Sequence, residues 1–276
     1  MKKWSLSKTV VFIIMVIYGI ISLYPIIWMG FYSLKSNEEI FVTNPFGPPL
    51  DPQWSNYVKA VTQFDIVLLF KNSVIVSLAS MFFGILFCLM FTYVVARVRT
   101  RTTKFLHSMV MAGMFIPIQA VMTPLVVMVK NLHLSNTRWS LIVPYVALSF
   151  PFAVMVLYGF YRSLPLELEE SAYIEGAGFY QTYFKIILPQ LKSIISVLVI
   201  YQFMSHWNEF SLALILITDP DLKTLPLGLA GFYGQFSTDW GPVGAALVLA
   251  SLPVIVIYLF FSSRVSDAMA YSGMKN

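Results

Sequence analysis

The sequence predicts an all-α membrane protein built from six transmembrane helices with kinked spans. Three observations carry that expectation. Of the 276 residues, 58% are hydrophobic and only 11% charged; the mean hydropathy is +0.75; and six separate apolar stretches are long enough to cross a bilayer. A helix rises about 1.5 Å per residue, so about 20 apolar residues span a hydrocarbon core about 30 Å thick. The stretches lie near Val10–Tyr32, Ser73–Val95, Phe105–Val129, Leu141–Tyr161, Leu191–Ile217 and Val243–Phe261. Such a composition lies outside the range of soluble globular domains, and a single domain covering residues 1–276 is expected.

The first stretch follows Lys2, Lys3 and Lys8. It is too long for the h-region of a signal peptide and has no small-x-small cleavage site, so it is expected to remain as an anchor. The loop that follows, about residues 33–65, holds Pro45, Pro48, Pro49 and Pro52, which forbid a regular helix. Trp54 to Val61 after them is amphipathic and predicts a short surface helix. Spans three and four contain Pro117, Pro124, Pro144 and Pro151. Each removes an internal hydrogen bond and kinks its helix, and the freed carbonyl needs a new partner in lipid; four in two spans suggest helices packed around a cavity.

Between spans four and five, about residues 162–185, lies a conspicuously charged segment. Pro165 is tolerated in a first turn and Glu167, Glu169 and Glu170 favour the positive end of a helix dipole, so a helix is expected from about Leu164. Gly176, followed by Ala177 and Gly178, is suited to the sharp turn that ends it, and a second helix from about Phe179 leads into span five. Ser171, Ala172, Gly176 and Ala177 are small and leave room for another protein to approach closely. An acidic segment in so apolar a chain calls for a partner in water.

Basic residues orient the spans. With the N-terminus inside, the inner segments hold Lys2, Lys3, Lys8, Arg97, Arg99, Arg101, Lys104, Arg162, Lys185, Lys192, Arg264 and Lys275, twelve of the 18 Lys and Arg, and the other six lie outside. That arrangement satisfies the positive-inside rule and puts both termini in the cytoplasm. The net charge of +5 is then a topology signal and a counterpart to membrane lipid, with no nucleic-acid partner implied.

Several chemistries are excluded or disfavoured. No Gly-x-x-x-x-Gly-Lys-Ser/Thr phosphate cradle is present. Cys88 is alone and sits within a span, which leaves no disulfide or cysteine metal site. His206 and Glu209 share a helix face but lack a third metal ligand, and no clustered acid, base and nucleophile marks an enzyme. Paired intramembrane charges of the kind that ion-coupled carriers use are sparse beyond Glu209.

Glu170-Ser171-Ala172 with Gly176, and further on Ile186-x-Leu188-Pro189, resembles the EAA loop of permease subunits of ABC importers. Ser171 and Glu175 stand where the family usually has Ala and Asp, changes that keep size or charge. Asn72-Ser73, the Pro117–Pro124 span, Asn136-Thr137, Trp207-Asn208-Glu209-Phe210 and Thr224-Leu225-Pro226-Leu227-Gly228-Leu229 resemble the carbohydrate, maltose-type branch, and Ser272-Gly273-Met274-Lys275 is a weaker echo of a terminal motif. The resemblance implies the type I importer permease fold and a bacterial plasma (inner) membrane location. It also implies a coupling helix that docks in a cleft of a cytosolic ATP-binding subunit. Glu167, Glu169, Glu170, Ser171, Ala172, Tyr173, Glu175, Gly176 and Ala177 would make that contact.

The implied assembly has two ATP-binding subunits, a second and non-identical permease subunit, and an external or periplasmic sugar-binding protein. ATP and Mg would bind the ATPase, with no cofactor in this chain. Trp207, Asn208, Glu209, Phe210 and Gln119 are candidates for the substrate path; Trp207 to Phe210 read equally as an interface anchor with Glu209 paired to a neighbouring helix. Gly231, Tyr233, Gly234, Gln235 and Trp240, in an external loop of about residues 218–240, are candidates for contact with the binding protein, and their aromatics also suit the headgroup level. The expected activity is ATP-driven sugar or oligosaccharide import by alternating access. Import of another small polar solute such as a glycerol phosphate, or ion-coupled carriage, is the alternative.

Overall fold

The computed structural model describes the backbone of residues 6–235 and 239–273 and the side chains of residues 7–232 and 239–262. The helices are α1 (Leu6–Tyr32), α2 (Ser55–Gln63), α3 (Ile66–Arg97), α4 (Arg101–Ala112), α5 (Ile118–Asn131), α6 (Trp139–Ser163), α7 (Glu167–Ile174), α8 (Phe179–Gln181), α9 (Leu188–Gln190), α10 (Lys192–Trp207), α11 (Ser211–Leu216), α12 (Leu225–Gln235) and α13 (Trp240–Gly273). Among the described residues there is no strand, as an all-α chain requires. The chain divides into two compact units, Met1–Leu68 with Gly228–Leu252, and Leu69–Leu227 with Pro253–Asn276.

In the first unit α1 is apolar on every side and exposed over most of its length, with Met15 67% and Tyr18 72% accessible, until its last turn, Trp28 to Tyr32, becomes half-buried. A helix hydrophobic all round suits lipid or another protein, never water. The proline-rich loop is irregular, as expected, and α2 is the amphipathic surface helix. The loop is held by buried polar groups: Lys35 Nζ donates to the Asn44 carbonyl at 2.5 Å, Trp28 Nε1 to the Pro45 carbonyl at 2.8 Å, and the Leu50 N–H to Glu39 Oε1 at 2.6 Å. Close packing of α13 depends on two glycines. A Cβ on Gly241 would collide with the Asn56 amide and the Lys35 carbonyl, and one on Gly244 would strike the Tyr32 ring.

The second unit is packed around two apolar clusters. One joins Cys88, Leu89 and Tyr93 of α3 to Val154, Leu157 and Tyr161 of α6 and to Ile187 and Leu198. The other joins Val76, Val129, Leu141, Tyr145, Leu212 and Leu216. Cys88 is free and buried.

Four of the expected spans are single helices: α1, α3, α6 and the Trp240–Ser262 part of α13. The other two are broken, which corrects the expectation of continuous kinked helices. The third bends by 109° between Arg101–Phe115 and Ile118–Asn131. Pro117 is the cause, because its ring drives Ile116 out of the helical region, to ψ 113°. The fifth starts at the expected Leu191, where the leading segment Phe179–Gln190 meets Lys192–Trp207 at a bend of 72°. It also stops at Trp207 instead of running to Ile217, with α11 as a separate helix. Glu209 explains that second break, since its carboxylate accepts the N–H groups of Leu212 at 2.7 Å and Ala213 at 3.2 Å and so starts a new helix. Pro124, Pro144 and Pro151 stay inside α5 and α6.

The expected external loop of residues 218–240 is also corrected, because Leu225–Gln235 is helical. Pro226 sits in the first turn, where its missing N–H has no helical partner to lose. Glycines at 228, 231 and 234 weaken a helix without forbidding it.

Candidate functional site

The acidic segment forms a short, well-defined lever. Pro165 pushes Leu164 into an extended conformation (φ −74°, ψ 130°) that ends α6, so α7 starts at Glu167, three residues later than the sequence suggested. Its far end closes as a left-handed glycine turn: Gly176 has φ +85°, the Ala177 N–H reaches the Ala172 carbonyl at 2.9 Å and the Gly176 N–H reaches that of Tyr173 at 3.0 Å. These are the two bonds of a Schellman motif. A Cβ at Gly176 would meet nothing within 4 Å, so the backbone angle, and not crowding, selects glycine here.

Two faces of α7 differ sharply. Glu169 and Ala172 turn inward and are 8% and 3% accessible. Arg97 at the end of α3 donates from Nε to Glu169 Oε1 at 2.6 Å, and Tyr93, one turn earlier, donates its hydroxyl to Glu169 Oε2 at 3.0 Å. The same guanidinium reaches the Leu164 carbonyl at 3.3 Å. Glu167, Glu170, Ser171, Tyr173, Ile174, Glu175 and Gly176 are exposed and Ala177 is half-buried. Ile174, at 87% accessible, lies beside Tyr173 on a face that mixes acid and apolar groups. Of the nine residues expected to face a partner, Glu169 and Ala172 are thus committed to the interior of this chain.

Within the second unit, the break at Pro117 opens a cavity of about 330 Å³. Gly113, Ile116 and Ile118 line it from the break, Tyr145, Ser149, Pro151 and Phe152 from α6, and Tyr201, Ser205 and His206 from α10, with Glu209 and Leu212 beyond. Tyr145 donates its hydroxyl to Glu209 Oε2 at 2.6 Å and its ring lies parallel to that of His206 at 5.3 Å. Phe152 and Tyr201 have ring centroids 4.1 Å apart. Aromatic faces beside hydroxyls, an imidazole and a carboxylate can stack against an apolar sugar face and hydrogen-bond its hydroxyls.

The expected path residues separate in the structure. Glu209 lines the cavity and accepts the Tyr145 hydroxyl from a neighbouring helix. Trp207 is 3% accessible and packs against Phe203 and Phe70, both at 5.4 Å, away from the cavity lining. Asn208 caps α10, donating to the Met204 carbonyl at 2.9 Å; Phe210 packs against the second apolar cluster. Gln119 is exposed, and its neighbour Ile118 takes the cavity position. Tyr145, Ser149, Tyr201 and Ser205 were missed. The signal for the α10 pair was available as a polar stripe, Tyr201, Ser205 and Glu209, at helical spacing in an apolar segment.

Of the binding-protein candidates, Gly231 is exposed on α12. Trp240 donates its backbone N–H to Asn37 Oδ1 at 2.8 Å and its ring meets Phe41 edge-on at 6.1 Å. Tyr233, Gly234 and Gln235 end α12, but the side chains of Tyr233 and Gln235 and residues 236–238 fall outside the described residues, as do the Ser272 side chain and residues 274–275 of the terminal motif.

Residues 84–271 match the family of binding-protein-dependent transport system inner membrane components. The chain belongs to that family. The matched residues include the acidic lever and the whole cavity lining. Among relatives of this permease are the diacetylchitobiose uptake system permease of Streptomyces coelicolor, 32% identical over 93% of this chain and 85% of the relative, and the multiple sugar-binding transport system permease of Streptococcus mutans, 30% identical over 96% of both. The fold matches that of a bacterial ABC transporter involved in the import of the acidic polysaccharide alginate, with a TM-score of 0.81 over 95% of this chain and 99% of the other; at 20% identity it is the fold that is shared. The permease is therefore a multi-pass inner-membrane component of a binding-protein-dependent transport system.

Proposed function

We propose that this permease imports a sugar or oligosaccharide through the cavity between α4–α5, α6 and α10. A separate ATPase grips α7 and supplies the energy. The observation that carries the coupling half of this reading is the exposed face of α7. Ile174 and Tyr173 stand in the open beside Glu167, Glu170 and Glu175, an arrangement that water alone does not stabilise and a protein cleft does. The sugar half rests on the aromatic and hydroxyl lining and on relatives named for diacetylchitobiose and multiple sugars. None of the described lining residues is Lys or Arg, and Glu209 is acidic, which disfavours a phosphate-bearing solute.

In this reading Arg97, Arg99, Arg101 and Lys104 mark the cytoplasmic side and both termini lie there. ATP and Mg bind the ATPase, this chain catalyses no reaction and carries no cofactor, and the complex contains two ATPase copies, a second and non-identical permease, and an external sugar-binding protein. Glu167, Glu170, Ser171, Tyr173 and Glu175 form the docking face, with Gly176 and Ala177 setting its edge. Trp240 and Gly231 lie toward the binding protein. Closure of the ATPases would shift α7 and swap the side to which the cavity opens, a two-state change that each ligand biases by differential affinity.

The test is co-purification of the ATPase with Gly176→Trp and Ile174→Asp variants. Both are expected to insert normally and to lose at least about tenfold of the bound ATPase, the first through backbone strain at positive φ and the second through a charge at the centre of the contact. Full retention of the ATPase by both variants would remove α7 as the docking element.

A further inference from the structure

Glu169 is the odd member of the acidic run. On a helix that otherwise shows its acids to solvent, this carboxylate is enclosed and receives donors from a different helix, Arg97 and Tyr93 of α3. Both side chains of the pair are 10% accessible, and Arg97 also holds the Leu164 carbonyl, just before Pro165, at 3.3 Å. A guanidinium and a phenol four residues apart on one helix face, meeting both oxygens of one carboxylate, fix the position of α7 against α3 in translation and in rotation. At its other end α3 is fastened again. Asn72 donates to the carbonyls of Asp221 at 2.8 Å and Lys223 at 3.1 Å, and the Leu225 N–H donates to Ser73 Oγ at 2.7 Å.

From these contacts we infer that Arg97 and Tyr93 are positioning residues that make α3 the rod driven by the ATPase. The docked partner pushes α7, the Glu169 joint passes the push to α3, and α3 carries it from Arg97 back to Asn72, about 38 Å at 1.5 Å per residue, to the 221–225 segment. The inference rests on the reading that α7 is the docking element. It differs from that reading in assigning Glu169 to the inside of this chain and not to the ATPase contact. A joint of this kind is a coupling claim, so it requires two sites biasing one element and a cycle of variants to measure it.

The experiment uses the full transporter with its ATPase in liposomes, a Cys88→Ser background and a single reporter, Ser149→Cys, in the cavity wall. The probe is a membrane-impermeant maleimide, and the labelling rate is measured without nucleotide and with MgATP plus vanadate. In the parent the two rates are expected to differ at least about tenfold. Arg97→Gln should keep the ATPase bound and hydrolysing but shrink the difference to under about twofold. Tyr93→Phe should leave it between about twofold and fivefold, and the swap Arg97→Glu with Glu169→Arg should restore most of it.

A parent-like nucleotide response in Arg97→Gln and Tyr93→Phe overturns the joint while α7 docking stands. Loss of the ATPase from Arg97→Gln to the extent seen in Ile174→Asp also overturns it, because the pair would then serve docking. If Arg97→Gln does not insert, Tyr93→Phe decides alone: an unchanged response is fatal and a partial one supports the joint. Should Ile174→Asp keep its ATPase and the parent show no nucleotide response, the docking reading fails and this inference falls with it.

Discussion

The two ends of α3 are fastened by different chemistry. At the end carrying Arg97, one enclosed carboxylate takes a guanidinium and a phenol from another helix. At the end carrying Asn72, the bonds are many and uncharged or singly charged, and most run to the main chain. Asn72 grips two carbonyls and accepts from Arg138 Nη2 at 2.9 Å. Asn136, in the loop before α6, holds the start of the same segment: it accepts the N–H groups of Thr218 at 2.8 Å and Asp219 at 3.1 Å, and donates to Thr218 Oγ1 at 2.7 Å. A neutral hydrogen bond contributes about 0.5–1.5 kcal/mol net, whereas stripping one member from a buried ion pair costs about 3–5 kcal/mol. The amide end thus spreads its hold over several small terms and fixes the path of a loop. The charged end concentrates its hold in one joint between two rigid helices, which is how a lever is attached.

That contrast can be broken in order of expected size. Arg97→Ala leaves the Glu169 carboxylate enclosed and unpaired, so the α7 joint should weaken by about 3–5 kcal/mol. Hydrogen exchange of the α7 amides should accelerate by about a hundredfold or more, and an unchanged rate would show that the joint carries no load. Next is Asn72→Ala. This fully buried amide satisfies two carbonyls and one guanidinium, and its loss should cost about 1–3 kcal/mol, read as a lower melting temperature of the purified permease with the α7 exchange rate unaltered. The smallest effect belongs to Asn136→Ala. Its bonds are exposed to water, and the residue also sits at φ +53°, which Asn tolerates better than Ala. A cost of about 1 kcal/mol is expected, seen as faster exchange confined to the Thr218 and Asp219 amides. Equal losses from Arg97→Ala and Asn136→Ala would abolish the distinction between joint and strap.

Much of this architecture was legible in the chain. Hydropathy located all six apolar stretches, because burying or embedding twenty apolar residues dominates every local preference. Gly176 was legible as a turn because only glycine is at ease at its positive φ. The breaks were less legible. Hydropathy runs unbroken across Ile116–Pro117 and dips only briefly at Asn208-Glu209 before the apolar run resumes, yet the chain turns at both, in one case by the steric demand of a proline and in the other by a carboxylate capturing N–H groups. Among the candidate residues, Trp207 reads as a sugar platform by type, but its ring is spent on Phe203 and Phe70. Tyr145 lacks any local motif, and only the packing of α6 against α10 and α11 aims its hydroxyl at Glu209.

What the sequence determined by itself is the class of solvent each segment needs: which stretches require lipid or protein around them, which short stretch requires an aqueous partner, and where glycine or proline must bend the chain. Those are properties of single residues and their near neighbours. Only the tertiary structure decided which of three similar glutamates turns inward and which hydroxyls reach a common cavity. Enclosure and direction depend on the element packed opposite, and Glu167, Glu169 and Glu170 are alike until Arg97 and Tyr93 are brought to one of them.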